Sequence, residues 1–367
     1  MTHGARTGGD APLRVVVLAG GVGGARFSLG VRAALSDRAD AAAAASADPF
    51  TIVVNTGDDL WLSGVRLQPD VDSIVYALAG VNDARRGWGR AGDSERAGRE
   101  LQEWGAGWPW FTLGDLDLGT HLARTGWLRE GLSPTQVIER MSRRWPLGAR
   151  LLPMTDAEVD TIVTVAESSD SGRDRSVGAD DAGLERGNPP RTERAMHFQE
   201  WWTRHRAALR PLRFDNPGVA EAAPATGVLE AIAEADVVLI APSNPVVSIG
   251  PILAVPGIHD ALRAAPGHVI GVSPIIGGRV VRGMADVCLA AIGVETSAAA
   301  VAAHYGARSA DGLLDAWLIA EEDAASAAAI EGLGIRAVVT PLWMRDAATS
   351  AALAEAALAA ASSPTEG

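Results

Sequence analysis

Four aspartates crowd one short stretch of this sequence. Asp58 and Asp59 close the run Thr51-Ile52-Val53-Val54-Asn55-Thr56-Gly57, and Asp70 and Asp72 follow inside the same fifteen residues. Adjacent acids at the end of a buried strand repel each other unless something neutralises them. Hard carboxylate oxygens suit Mg²⁺, which takes one or two carboxylates together with substrate phosphates. For Asp70 and Asp72 the competing assignment is capping of a helix over Val71–Ala79. A second concentration is Gly114-Asp115-Leu116-Asp117-Leu118-Gly119-Thr120-His121. Two acids two residues apart, with a histidine four further on, can bind a metal, bind polar ligand edges or move a proton. Against that stand capping by Asp117 of a helix from Thr120, and a plain helical place for His121.

Other segments offer donors without acids. Gly20-Gly21-Val22-Gly23-Gly24 follows the apolar run Leu13–Ala19 and precedes a helix expected from near Ala25. Glycines there let backbone N–H groups approach a phosphate at the positive end of the helix, and Arg26 can add a bidentate contact. The loop lacks the Lys-Ser/Thr pair of a Walker A motif and departs from G-x-G-x-x-G. No ribose-binding acid ends the second strand, which disfavours a nicotinamide dehydrogenase. A tight strand-to-helix turn and a solvated arginine are the plainer assignments. Two more loops, Ser243-Asn244-Pro245 through Ser248-Ile249-Gly250 and Ser273-Pro274 through Gly277-Gly278, each follow an apolar strand. Their hydroxyl, amide and N–H groups suit a purine edge or a ribose. Taken singly, each reads equally as an ordinary turn.

The elements that must position these groups alternate between strand and helix. Leu13–Ala19, the helix after it and Thr51–Val54 make a βαβ unit with a right-handed crossover. Further strands are expected at Thr161–Ala166, Asp236–Ala241, Val269–Val272, Leu314–Ala320 and Ala337–Val339. Ser133-Pro134-Thr135-Gln136 is a capping box that opens a helix to about Arg144. The pattern predicts a Rossmann-like α/β fold, a doubly wound and mostly parallel sheet, as a single domain over 13–361 with a helical insertion at about 81–206. In such sheets ligands bind outside the carboxyl ends of the strands, where every segment singled out above should meet. Residues 1–12 and 362–367 are expected to be flexible, and the polar stretch 167–193 a mobile loop.

Composition removes whole classes of function. The 367 residues carry a formal charge of −13, which argues against binding nucleic acid or an anionic membrane surface. All 32 basic side chains are arginine, so no lysine can serve as a Schiff-base nucleophile or phosphate-loop cation. A single cysteine, Cys288, excludes an internal disulfide and a cysteine-cluster metal site. The apolar run after the polar first twelve residues is too short to span a bilayer, and the cytoplasm is the expected compartment. Eleven tryptophans stand against two tyrosines and five phenylalanines. Trp61, Trp88, Trp108 and Trp110 fall in or beside the segments expected at the crevice mouth, as flat surfaces for a planar ligand.

Taken together these segments resemble the 2-phospho-L-lactate transferases, including their phosphoenolpyruvate-transferring branch. The resemblance runs in order through Leu18–Phe27, Val53–Gly64, Gln68–Gly80, Trp110–Leu122 and Arg144–Asp156. It continues through Met196–Trp202, Ala241–Leu253 and Gly271–Gly278. It implies a Rossmann-like, Mg²⁺-dependent homodimer that makes coenzyme F-420. A guanosine diphosphate bearing lactate or enolpyruvate would give its phospho-acid to the ribityl hydroxyl of a deazaflavin, with loss of GMP. Asp58 would hold Mg²⁺ and, with Asp59, act at the reacting phosphorus. Gly20, Gly21, Gly23, Gly24 and Arg26 would bind phosphate, and Ser243, Asn244, Ser248, Gly250, Ser273, Gly277 and Gly278 the guanosine. Asp70, Asp72, Asp115, Asp117 and His121 would face the deazaflavin. One departure stands out: Leu116 occupies a place usually basic in that family, leaving Arg90, Arg124 or Arg144 to replace it. The gluconeogenesis factors, regulators that bind nucleotide-sugars, share the glycine loop and acidic strand end. The segments GDLDLGTH and MHFQEWW favour the transferases.

Overall fold

The computed structural model describes residues 13–38, 50–106, 109–167 and 192–362. The flexible ends and the mobile loop expected from the sequence lie outside these residues but for their border positions, as does Trp108. Among the described residues the chain forms fourteen strands. β1 (Val15–Ala19) and β2 (Phe50–Val54) come first, then the hairpin of β3 (Leu60–Leu62) and β4 (Val65–Leu67). β5 (Arg150–Pro153), β6 (Ile162–Glu167), β7 (Thr192–His197) and β8 (Pro211–Asp215) follow. β9 (Val237–Ile240), β10 (His268–Val272), the short β11 (Ile275–Ile276) and β12 (Arg279–Val280), β13 (Ala316–Ile319) and β14 (Arg336–Val339) complete the set.

Seven of these make one sheet in the order β14-β13-β10-β9-β1-β2-β5, and every neighbouring pair is parallel. Both faces are covered, which is why its central strands read as unbroken apolar runs. Val15, Val17 and Ala19 pack with α1 (Gly21–Arg38), α2 (Pro69–Leu78) and the C-terminal helix Ala347–Ser362. Val16 and Leu18 point the other way, into a core with Val228, Ile232, Ile258, Leu262 and Val301. No single described helix is long and apolar enough to cross a membrane.

Most expected strands are present within a residue or two, and the capping box at Ser133 and Gln136 opens α5, as read from the sequence. Three expectations need correction. β5 lies inside the stretch read as an insertion, yet pairs with β2 at the edge of the main sheet. Only an edge position tolerates its proline, and four residues holding an arginine and a proline make a faint strand signal. β6 is a strand, but an antiparallel one, in a separate sheet ordered β7-β6-β8. The helix expected from Ala25 begins at Gly21, whose φ of 62° turns the chain from β1 straight into α1.

The Asp115 region is also rearranged. α4 (Asp115–Arg129) starts five residues before Thr120, with both acids in its first turn. Its N–H groups at Leu116 and Asp117 are capped from outside by Asp93, at 2.8 and 3.0 Å. Asp115 returns the favour to α3 (Arg96–Glu103), accepting from Ala97 N at 2.9 Å and from Ser94 Oγ at 2.5 Å. Neither Asp70 nor Asp72 caps α2: Gln68 holds the N-cap position, and both acids sit in the first turn behind Pro69.

Candidate active site

The strand order reverses between β1 and β9: the chain proceeds outward from β1 through β2 and β5, then restarts beside β1 at β9. The loops leaving β1 and β9 therefore part to opposite sides and open a crevice, the usual ligand position in this architecture. Ser243 ties the two loops together. Its hydroxyl accepts from Gly20 N at 3.1 Å and donates to Gly20 O at 2.7 Å. Asn244 uses its side-chain oxygen to cap the following turn, accepting from Val246 N and Val247 N, so its amide N–H groups are what it can offer a ligand. Above the crevice lies a cleft of about 1080 Å³.

Most of the residues singled out in the sequence meet there. Gly20, Gly21, Gly23 and Arg26 line the cleft, with Ser243, Asn244, Ser248 and Ser273 from the opposing strand ends. Asp58, Asp70, Asp72, Asp117 and His121 line it too. Several others are spent elsewhere. Gly277 and Gly278 point their N–H groups at the Asp323 carboxylate, at 2.8 and 3.3 Å, so that nest already holds an anion. Gly24 packs on Ala19 and Ser243, and Gly250 on the Pro245 carbonyl. Asp115, bound to α3, is not on the cleft. Asp59 faces a separate hollow of about 340 Å³ beside Trp61, where Gln68 Nε2 donates to it at 2.7 Å and Arg66 stands 3.7 Å away.

Asp58 and Asp70 form a buried acid pair beside the glycine loop. Asn55 Nδ2 donates to Asp70 Oδ2 at 2.8 Å and, more weakly, to Asp58 Oδ1 at 3.5 Å. A Cβ on Gly20 would stand 2.5 Å from Asp70 Oδ2, so only glycine lets that carboxylate descend onto the loop. Burial, then the neighbouring Asp70 and Asp59 charges, push the Asp58 pKa well above the ordinary aspartate value. Burial raises Asp70 to about 6, against the hydrogen bonds from Asn55 and the Gly21 N–H. Burial likewise raises Asp59, opposed by Arg66 and Gln68. An acid pair with so few donors can hold a hard divalent cation, whose charge would favour both anions.

The same shift fixes a pH dependence. An acid whose folded pKa exceeds its unfolded one costs stability when ionised; the cost is absent below about pH 4 and complete above about pH 6. From pH 7 to 8 in metal-free buffer, Asp70→Asn should therefore be more stable than the parent by ~2–3 kcal/mol. The advantage should fade as pH falls from 6 to 4 in thermal melts. A difference independent of pH would remove Asp70 as its source.

The cleft floor is a charge network centred on Arg124, which is fully buried. Its Nη1 donates to Asp72 Oδ2 at 3.1 Å and to His121 Nδ1 at 3.0 Å, and its Nη2 pairs with Asp72 Oδ1. Because Arg124 can only donate, His121 Nδ1 must accept and the ring proton sits on Nε2, 3.4 Å from Asp117 Oδ1. Tyr76 OH donates to the same Asp117 oxygen at 2.7 Å. Burial works against the Asp117 anion, but the His121 and Tyr76 donors hold its pKa below the ordinary value. Asp72, Asp117 and His121 converge closely enough to suggest a metal site. With Arg124 on Asp72 and a proton on Nε2, they form a neutralised polar floor instead. Of the three arginines weighed against Leu116, Arg124 alone meets these acids. Arg90 lies over Tyr76 and Trp145, and Arg144 over Trp145, while Leu116 points out to solvent.

Aromatic groups wall the cleft. Trp88 and Trp110 line it as expected from the sequence, whereas Trp61 lines the smaller hollow. Trp202 and Trp343 line it as well, and were not among the tryptophans assigned to the crevice. Trp202 had a signal, since it belongs to the segment Met196–Trp202 already singled out. Trp343 had none: it stands in a short stretch after β14, and its indole donates to Glu322 at 3.2 Å. Three more arginines, Arg206, Arg282 and Arg345, also border the cleft and were not anticipated.

The family model for 2-phospho-L-lactate transferase CofD matches residues 15–335. A phosphoenolpyruvate transferase of Mycobacterium avium (strain 104) is 46% identical over 355 residues, covering 94% of this chain and 98% of that protein. One from Nocardia farcinica is 47% identical over 345 residues, covering 94% of each. A crystal structure of a UPF0052-family protein from Bacillus halodurans covers 95% of this chain and 100% of its own, with a TM-score of 0.57. At 18% identity that last likeness concerns the fold alone. A family match over nearly the whole sheet, with relatives almost half identical from end to end, means that the chain belongs to the CofD family of 2-phospho-L-lactate transferases.

Proposed function

We propose that this transferase moves an enolpyruvyl phosphate from a guanosine-diphosphate donor to the ribityl hydroxyl of 7,8-didemethyl-8-hydroxy-5-deazariboflavin, in coenzyme F-420 biosynthesis. Enolpyruvate is favoured over lactate by the activity named for the relatives above. The observation that carries the reading is the meeting of a glycine loop with the buried Asp58–Asp70 pair at one point of a large aromatic-walled cleft. A phosphate on that loop would be repelled by both acids unless a cation lay between them. The residues thus fit Mg²⁺, held by Asp58 and Asp70. When bound it would offset charge that develops on the phosphoryl oxygens.

The chain's own groups supply the rest. Backbone N–H groups of the glycine loop and the Arg26 guanidinium hold the diphosphate, and Ser243, Asn244 and Ser273 hold the guanosine. Tyr76, Trp88, Trp110 and Phe111 offer flat faces to the deazaflavin, and the Asp117–His121 floor holds its polar groups. The ribityl oxygen attacks the phosphorus bearing the acid, the bond from that phosphorus to the GMP phosphate oxygen breaks, and GMP leaves with the electron pair. The hydroxyl proton passes to a free oxygen of the Asp58 carboxylate, which lines the cleft. Alignment of the reactants and fixed charge account for the rate, with no covalent intermediate. The reading includes a homodimer in the cytoplasm.

Mass spectrometry of the product tests it. Incubated with the deazaflavin and enolpyruvyl-, lactyl- or glyceryl-diphosphoguanosine in turn, the protein should release GMP and join the acid to the deazaflavin, fastest with enolpyruvate. A faster reaction with lactate or glycerate would overturn the choice of acid. No product from any donor would overturn the activity itself.

A further inference from the structure

The cleft wall that follows β7 carries polar side chains with no part in the reading so far. There the chain passes through a wide helical turn, Glu200–Arg204, and Gln199, Thr203 and Arg206 all reach the same cleft. The turn is anchored at the acid loop. His197 Nε2 donates to the Asp59 carbonyl at 3.0 Å, because its Nδ1 accepts from Gln199 N at 3.0 Å. Gln199 thus begins the stripe two residues from the His197 anchor on the acid loop, and Arg206 ends it. Thr203 Oγ1 donates to Gln199 Oε1 at 3.5 Å, and the Gln199 amide N–H groups have no acceptor among the described residues. Among the described residues Arg206 has no hydrogen-bond or ion-pair partner.

The backbone makes that arginine conspicuous. Arg206 and Ala207 both have left-handed φ, 48° and 53°, and Ala207 N closes the helix end on Trp201 O at 3.0 Å. Helices that end this way mostly use glycine, which has no Cβ to strain. In a chain with 41 glycines, position 206 instead keeps an arginine, one that holds no other group among the described residues. Strain of this kind gathers where the side chain is put to use.

We propose that Gln199, Thr203 and Arg206 form the subsite for the carboxylate of the transferred acid, an inference that rests on the donor reading above. The acid hangs from the phosphorus addressed by Asp58, so its carboxylate is within reach of a stripe that starts at the acid loop. The planar guanidinium matches both carboxylate oxygens, and the amide and hydroxyl add donors. Phe198, Val247 and Met284, on the same wall, give apolar contact to the acid's carbon.

Titration calorimetry can isolate this contact. Three ligands are compared: GDP, lactyl-diphosphoguanosine, and the ethyl ester of GDP, which lacks only the carboxylate. The wild type should bind the lactyl compound roughly 10- to 100-fold more tightly than the ethyl ester. Arg206→Gly should erase most of that preference by weakening the lactyl compound alone. GDP affinity should hold, and Tm should not fall, because glycine relieves the left-handed backbone. Arg206→Lys should recover part of the preference, and Gln199→Leu should lose part of it. A preference unchanged in Arg206→Gly and Gln199→Leu would overturn the subsite, as would an equal loss for GDP. A wild type that binds GDP but does not prefer the lactyl compound would also overturn it. Failure of the wild type to bind any of the three would instead sink the donor reading, and the subsite with it.

Discussion

Replacing Asp58 with asparagine is expected to cut transfer by roughly 10³- to 10⁴-fold while leaving the fold intact. Two proposed losses combine in that figure: an amide cannot take the ribityl proton, and it is a poor ligand for a divalent cation. The fold should survive because asparagine is isosteric, and because removing a buried charge relieves the repulsion and burial that raise the Asp58 pKa. A melting temperature at or above the parent value, with intact GDP binding, would confirm that only chemistry was lost. Glutamate at the same position should restore little, since Asn55 and Asp70 already crowd the site. Turnover within tenfold of wild type at saturating Mg²⁺ would remove Asp58 from the reacting centre.

The second large effect concerns stability. Arg124→Met should cost about 3–5 kcal/mol, the usual penalty for stranding a buried charge by removing its partner. Arg124 neutralises Asp72 with both terminal nitrogens and also donates to His121 Nδ1 and the Arg66 carbonyl. Methionine fills similar space but leaves the buried Asp72 carboxyl without its two guanidinium donors. A drop in Tm of about 4–6 °C is expected. Adding Asp72→Asn should recover much of it, since the stranded charge is then gone. An Arg124→Met protein melting within a degree of the parent would show that water reaches Asp72 and the floor is not sealed.

Much of the architecture could be read from residue order alone. A buried β-branched run, five residues with four glycines, a helix and a second apolar run admit few folds besides a parallel βαβ unit. Glycine loop, acidic strand end and Ser/Asn turns each follow such a run, and parallel strands deliver their carboxyl ends to one edge. That local logic brought Gly20, Asp58, Asp70, Ser243 and Ser273 to a common cleft. The identity of the family was legible for the same reason, because its matching segments are those short strand-end loops.

Side-chain direction was beyond it. Asp58 and Asp59 are neighbours in sequence, yet one faces the large cleft and the other a separate hollow beside Arg66 and Trp61. Which of the two turns inward depends on Asn55, Gln68 and Arg66 together, and no local pattern encodes that choice. Asp115 looked like a ligand residue because the packing of α3 against α4, which makes it a cap, joins two segments far from any common motif. Gly277 and Gly278 lost their free donors to Asp323, some forty-five residues away. Trp343 and Arg206 reach the cleft from linker and strained turn, and Arg124 lies buried beneath its floor, without any periodic signal. The order of residues thus determined the sheet, its crevice and the class of chemistry, since these follow from short-range pattern and strand direction. Only the tertiary fold decided which acids stay bare and which are capped or paired, because each outcome depends on a partner brought from a distant part of the chain.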